Sequence, residues 1–69
     1  MGDPRLVSSL KEVRTAAGLT QAELADRAGV SRKTINTVEN GVFIPSTVLA
    51  LSLARALGTT VEGLFQLAD

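Results

Sequence analysis

The chain has 69 residues, 45% of them apolar and 20% charged, and its seven basic and seven acidic side chains cancel. That leaves room for a single domain over residues 1–69 with a small core, since so short a chain buries only about 60% of its unfolded surface. Lacking cysteine and histidine, it has no disulfide, no thiolate metal site and no imidazole base, so neither catalysis nor a metal or other cofactor is expected.

No apolar run approaches the roughly 20 residues of a membrane span, and no secretory leader is visible. Met1-Gly2 suits a myristoylation signal, but Leu6 stands where that signal needs Ser or Thr. The expectation is a soluble, intracellular protein. The zero net charge hides an uneven distribution. Residues 1–35 carry six Lys/Arg against four Asp/Glu, and residues 36–69 carry one against three, so one half presents a basic field.

Helical punctuation recurs along the chain and no strand-like alternation is visible, so the fold is expected to be all-α. A first helix is predicted from Asp3 as N-cap with Pro4 in the first turn, burying Leu6, Leu10, Val13 and Ala17 and stopping at Gly18. A second opens at Thr20, where Glu23 three residues on completes a capping box, and ends at Gly29. Its apolar face is Leu24, Ala25 and Ala28. Ser31 caps a third helix from Arg32 to Glu39 that buries Ile35 and Val38, closed by Asn40-Gly41.

Val42, Phe43 and Ile44 then read as an extended loop before Pro45. At least one of these three side chains is expected in the core. Ser46 caps a fourth helix through Leu57, ended by Gly58, and Thr60 caps a short fifth carrying Val61, Leu64 and Phe65.

Two short helices joined by a tight glycine-bearing turn, here spanning about residues 20–40, form a helix-turn-helix. The run Leu19-Thr20-Gln21-Ala22-Glu23-Leu24-Ala25, then Gly29-Val30-Ser31, Thr34-Ile35, Glu39-Asn40-Gly41, Pro45-Ser46 and Leu53-Ala54-Arg55-Ala56-Leu57-Gly58 resembles the phage repressor/Cro (Xre) family. The likeness extends from about Leu6 to Phe65. It implies a compact five-helix, lambda-repressor-like domain and sequence-specific binding of double-stranded DNA as a cytoplasmic, nucleoid-associated transcriptional regulator, a repressor in the simplest case.

The resemblance places base contacts on the third helix, at Ser31, Arg32, Lys33 and Thr37; Asn36, one turn from Arg32 and Lys33, is in reach of an adenine or a phosphate by its position. Their chemistry fits: Arg and Lys donate to guanine O6 and N7, and Ser and Thr bond a base or pack on a thymine methyl. Two cations in the first turn of a helix also oppose its dipole, which favours an external anion over simple solvation. The resemblance further implies phosphate contacts from Gln21, Arg14 and Asn40, and an ion pair between Arg14 and Glu39. One departure from the pattern is the apolar Val42-Phe43-Ile44, where many relatives carry basic or polar groups.

The fourth helix is apolar on more than one side, with Val48 and Leu51 outside its main face. With Phe65 they are the expected interface of a homodimer on a palindromic operator. No small-molecule ligand is expected. Two alternatives use the same fold: a protein-interaction module that does not read DNA, and an antitoxin or the DNA-binding part of a longer sensor.

Overall fold

Four hydroxyl side chains set the helix starts in the computed structural model, which describes residues 6–68. Thr20, Ser31, Ser46 and Thr60 each accept the backbone N–H three residues on, from Glu23, Thr34, Leu49 and Gly63. Each bond satisfies an amide that the first helical turn leaves without a partner. The elements in order are β1 (Leu6–Ser8), α1 (Leu10–Ala16), α2 (Gln21–Ala28), α3 (Arg32–Glu39), α4 (Thr47–Leu57), α5 (Val61–Leu64) and β2 (Phe65–Leu67).

Helices α2, α3 and α4 match the expected bounds. The turn between α2 and α3 depends on Gly29, which adopts φ +72°. Its N–H bonds the Asp26 carbonyl while Val30 N–H reaches back to Ala25, the paired bonds of a Schellman ending. Only one residue then separates Gly29 from the Ser31 cap, so the chain turns sharply and α3 crosses α2.

The two ends of the chain depart from the all-α expectation. Residues 6–8 form β1, which pairs antiparallel with β2 in the register Leu6↔Leu67, Val7↔Gln66 and Ser8↔Phe65. The first helix therefore starts later than predicted, after Ser9, whose N–H bonds the Leu64 carbonyl at 2.7 Å. Asp3 and Pro4, read as its cap and first turn, lie outside the described residues. Ala17, expected on the buried face, is exposed just past the helix end. Phe65 opens a strand at φ −134° and ψ 134° and does not continue α5. The fold is mainly helical with a small two-stranded sheet.

Leu10, Leu24, Ile35, Leu53, Leu64 and Val38 are fully buried at the centre, one or more from each helix. Burying each such side chain contributes about 1.5–3 kcal/mol relative to exposure. Small Ala25, Ala50 and Ala54 complete the buried cluster, where larger groups would overfill a close-packed interior. Val42, Phe43 and Ile44 are all about half exposed, at 54%, 46% and 47%, so none of the three enters the core. The loop is held by its backbone: the N–H groups of Val42 and Phe43 both bond the Thr37 carbonyl. No helix among the described residues is long and apolar enough to cross a membrane.

Candidate nucleic-acid interface

With 3.6 residues per turn, Arg32, Lys33, Asn36, Thr37 and Asn40 fall within an arc of about 140° on α3, opposite its core residues Ile35 and Val38. All are exposed except Thr37, which is half-buried. Ser31 precedes them at the cap, its Oγ accepting Thr34 N–H at 3.1 Å and lying 3.0 Å from Thr34 Oγ1. Four of the five residues expected to touch bases thus share one arc of α3, with Thr37 half-buried at its edge, and the exposed Ser31 stands at the cap that opens the helix.

Their engagements differ. Arg32 and Lys33 have no salt-bridge partner among the described residues, and the helix carries no acidic group in its first turn to offset them. Thr37 donates its hydroxyl proton back to the Lys33 and Thr34 carbonyls, at 3.1 and 3.0 Å. Asn40 Nδ2 donates to Asn36 Oδ1 at 2.9 Å across one helical turn.

Behind this face lies a buried polar knot. Arg14 Nε donates to Glu39 Oε2 at 2.5 Å and Nη2 to Oε1 at 3.3 Å, while Nη1 reaches the Leu19 carbonyl at 2.8 Å. Gln21 Nε2 donates to the same Glu39 Oε1 at 3.0 Å. The Glu39 side chain is 2% exposed, yet no buried side-chain polar atom among the described residues lacks a partner. One carboxylate at the end of α3 thus ties α1 to the start of α2, and Arg14 extends the knot to the α1–α2 turn.

The expected pairing of Arg14 with Glu39 is therefore present. The further anchors at Leu19 and Gln21 were not anticipated: the Gln21–Glu39 contact spans 18 residues, which no local spacing signals, and the Leu19 carbonyl is a backbone acceptor that its side chain does not announce. The knot alters the expectation for Arg14 as a phosphate contact: it is only 8% exposed, and three of its N–H groups are spent inward. Gln21 likewise spends one side-chain N–H on Glu39.

A cleft of mixed lining does open on this side, bordered by Arg14, Thr15, Gly18, Leu19, Thr20, Gln21, Ala22 and Arg32. It lies at the N-terminus of α2, where backbone N–H groups and the helix dipole favour an anion. The capping box there is complete. Glu23 Oε1 accepts the Thr20 N–H at 2.8 Å, and this backbone bond, with help from the Thr20 hydroxyl, holds the Glu23 carboxyl below its ordinary 4.5.

The expected dimer residues divide. Val48 and Leu51 are 75% and 56% exposed, but Phe65 is 8% exposed and belongs to the core of its own chain. It was misplaced because Val61, Leu64 and Phe65 share helical spacing, whereas the chain turns into β2 at Phe65. Its edge still lines a groove of about 240 Å³, together with Leu6, Ile44, Pro45, Leu51 and Val61. Leu67, 75% exposed, was not anticipated.

Comparison with known proteins bears on this geometry. A family profile described as helix-turn-helix matches residues 10–64. A protein of Methanothermobacter thermautotrophicus described as an HTH-type transcriptional regulator is 49% identical over 57 residues, covering 81% of this chain and 83% of its own. YgzD of Bacillus subtilis, described likewise, is 34% identical over 62 residues, covering 90% and 94%. Among solved structures, the restriction-modification controller protein C.AhdI of Aeromonas hydrophila superposes with TM-score 0.74 at 42% identity, over 77% of this chain and 80% of that one. The clp gene regulator ClgR of Corynebacterium glutamicum gives TM-score 0.75 at 33% identity, over 78% and 69%. With the α2–α3 pair, its exposed basic face and these likenesses in hand, the chain belongs to the phage repressor/Cro (Xre) type of the helix-turn-helix family.

Proposed function

We propose that this protein is a DNA-binding transcriptional regulator that lays α3 in the major groove and reads bases with Ser31, Arg32, Lys33, Asn36 and Thr37. The observation that carries the reading is the exposed arc of α3, in which two cations with no salt-bridge partner among the described residues stand beside polar groups above a buried Arg14–Glu39–Gln21 knot. Such a knot holds the reading helix at one angle, as base contacts require. Phosphates would lie at the two ends of the unit. The first-turn amides of α2, Gln21 and the remaining Arg14 edge line the cleft at one end, and Asn40 stands at the other.

We further propose that the protein acts as a homodimer, with Val48 and Leu51 on the shared face beside the apolar groove. The described residues measure 30 × 21 × 20 Å. Two such bodies side by side suit recognition helices about 34 Å apart in successive major grooves of a palindromic operator. Occupying that operator would repress transcription by excluding polymerase. Selection of bound duplexes from a random pool, then titration at two salt concentrations, tests both parts. An enriched inverted repeat with affinity falling as salt rises supports them. A single half-site enriched without symmetry removes the dimer, and no enrichment removes the DNA reading.

A second reading has its own observation in the exposed Val42, Phe43 and Ile44, of which Ile44 lines the same groove. An apolar surface of this kind suits a protein partner, and DNA binding that is absent or indifferent to salt would favour it.

A further inference from the structure

We infer that Asn36 reads an adenine in the major groove and that Asn40 positions it, holding the Asn36 amide in one orientation for that contact. This rests on the DNA-binding reading and specifies one base which that reading leaves open.

Arg32, Asn36 and Asn40 stand four residues apart and so form one row along the exposed side of α3. Each lies about 6 Å further along the axis and about 40° further round it. Arg32 begins the row in the first turn, the part of a recognition helix that meets base edges, and Asn40 ends it at the C-cap. Asn36 is exposed between them. Its side chain makes one hydrogen bond among the described residues: Oδ1 accepts Asn40 Nδ2 at 2.9 Å.

That bond leaves the amide with a definite capacity. An amide oxygen has two lone pairs and its nitrogen two N–H groups, so Asn36 keeps one acceptor site and both donors. Adenine presents N7 as an acceptor beside an N6–H donor, and asparagine meets the pair with one N–H and one lone pair. Guanine presents two acceptors there, so the amide oxygen would face O6 unpaired. A phosphate takes donors alone and gains nothing from an oriented oxygen.

The amide is planar, so holding its oxygen also fixes where its nitrogen lies. An unheld asparagine has to give up rotamer freedom when it meets the base, whereas a held one has given it up on folding. Asn40 spends one N–H on this task and keeps a second for a phosphate. One amide then links the backbone contact that seats the helix to the group that reads the base.

The test is selection from random duplexes with the wild-type chain, Asn36→Ala, Asn40→Ala and the double variant. Asn36→Ala is expected to lose an adenine preference of about tenfold at one position. Asn40→Ala should lose most of the preference at that same position, and in the Asn36→Ala background it should change it no further. Loss of a phosphate contact lowers affinity on all duplexes alike, so base preference is the quantity that reports positioning. With the wild-type chain, that adenine is also replaced by 7-deazaadenine, which lacks N7, or by purine, which lacks the N6 amino group. Each replacement is expected to weaken binding about fivefold.

An Asn40→Ala protein that keeps the wild-type adenine preference would overturn the inference and leave DNA binding standing. So would an Asn36→Ala protein with no changed preference at any position. Indifference of the wild-type chain to both adenine analogues, which needs no variant to measure, would do the same. No enrichment and no salt dependence would overturn both readings together.

Discussion

Lys33 shows how a single residue separates specificity from affinity. Exposed in the first turn of α3 with no salt-bridge partner among the described residues, it opposes the helix dipole and stabilises nothing visible within the fold. Lys33→Ala is therefore expected to leave the melting temperature near the wild-type value. On the preferred duplex it should cost about 1–3 kcal/mol and relax preference at one base pair. Equal weakening on all duplexes, with a shallower salt dependence, would make Lys33 a phosphate contact instead.

Arg14 behaves oppositely. It anchors a carboxylate that is 2% exposed, and Arg14→Ala leaves that charge buried with only the Gln21 amide beside it. A loss of about 3–5 kcal/mol in urea unfolding is expected, comparable with the whole stability of a domain this small. A loss below about 1 kcal/mol would show that Glu39 reaches water in solution. The Arg14–Glu39 pairing was legible only through the family resemblance, because the two residues are 25 apart and no periodicity links them. The Asn36–Asn40 bond was open to direct reading, since amides four residues apart on a helix face are neighbours.

At the scale of elements, legibility followed locality. The starts of α2, α3 and α4 were readable because a hydroxyl cap bonds the amide three residues on, and such a signal lies within one turn of the chain. The endings at Gly29 and Gly58 were readable because positive φ favours glycine. The strands were not. Ser8 pairs with Phe65, and the apolar spacing of Leu6, Leu10 and Val13 fits a helix equally well until the partner strand is known. Three-residue strands also carry too little alternation to stand out.

The α2 capping box makes a pH-dependent contribution whose sign is fixed. Hydrogen bonds from the Thr20 backbone and hydroxyl hold the folded Glu23 carboxyl below 4.5. Its contribution is complete above that value and is lost as pH falls through the lower folded one. Wild-type protein should therefore lose more stability on acidification through this range than Glu23→Gln, as measured by thermal melting across pH. Parallel curves for the two proteins would mean that the Thr20 hydroxyl caps the helix alone.

Across the whole molecule, polar and apolar surfaces are segregated. The basic arc of α3 and the cleft at the start of α2, which Arg14, Gln21 and Arg32 border, occupy one part of the surface, while Val48, Leu51 and the groove between β1 and α4 form an apolar one. The apolar breadth of α4 was legible from its composition. Which of its neighbours came from the same chain was not, because the position of Phe65 depends on the sheet. Leu51→Glu removes apolar surface that is 56% exposed, so it is expected to leave the fold intact while shifting sedimentation from dimer to monomer. It should also lower affinity for a full inverted repeat more than for a half-site. Unchanged sedimentation would place the dimer contact elsewhere or remove it.

The central claim is that α3, oriented by the Glu39 knot, is the surface that meets DNA. Nuclear magnetic resonance mapping of backbone amides, with a duplex recovered by selection titrated into the labelled protein, tests it most directly. The account expects the large shifts at Gln21, Ala22 and residues 31–37, with the amides of Val48 and Leu51 little changed once dimerisation is complete. Shifts confined to Val42, Phe43, Ile44 and the groove, with α3 silent, would contradict it.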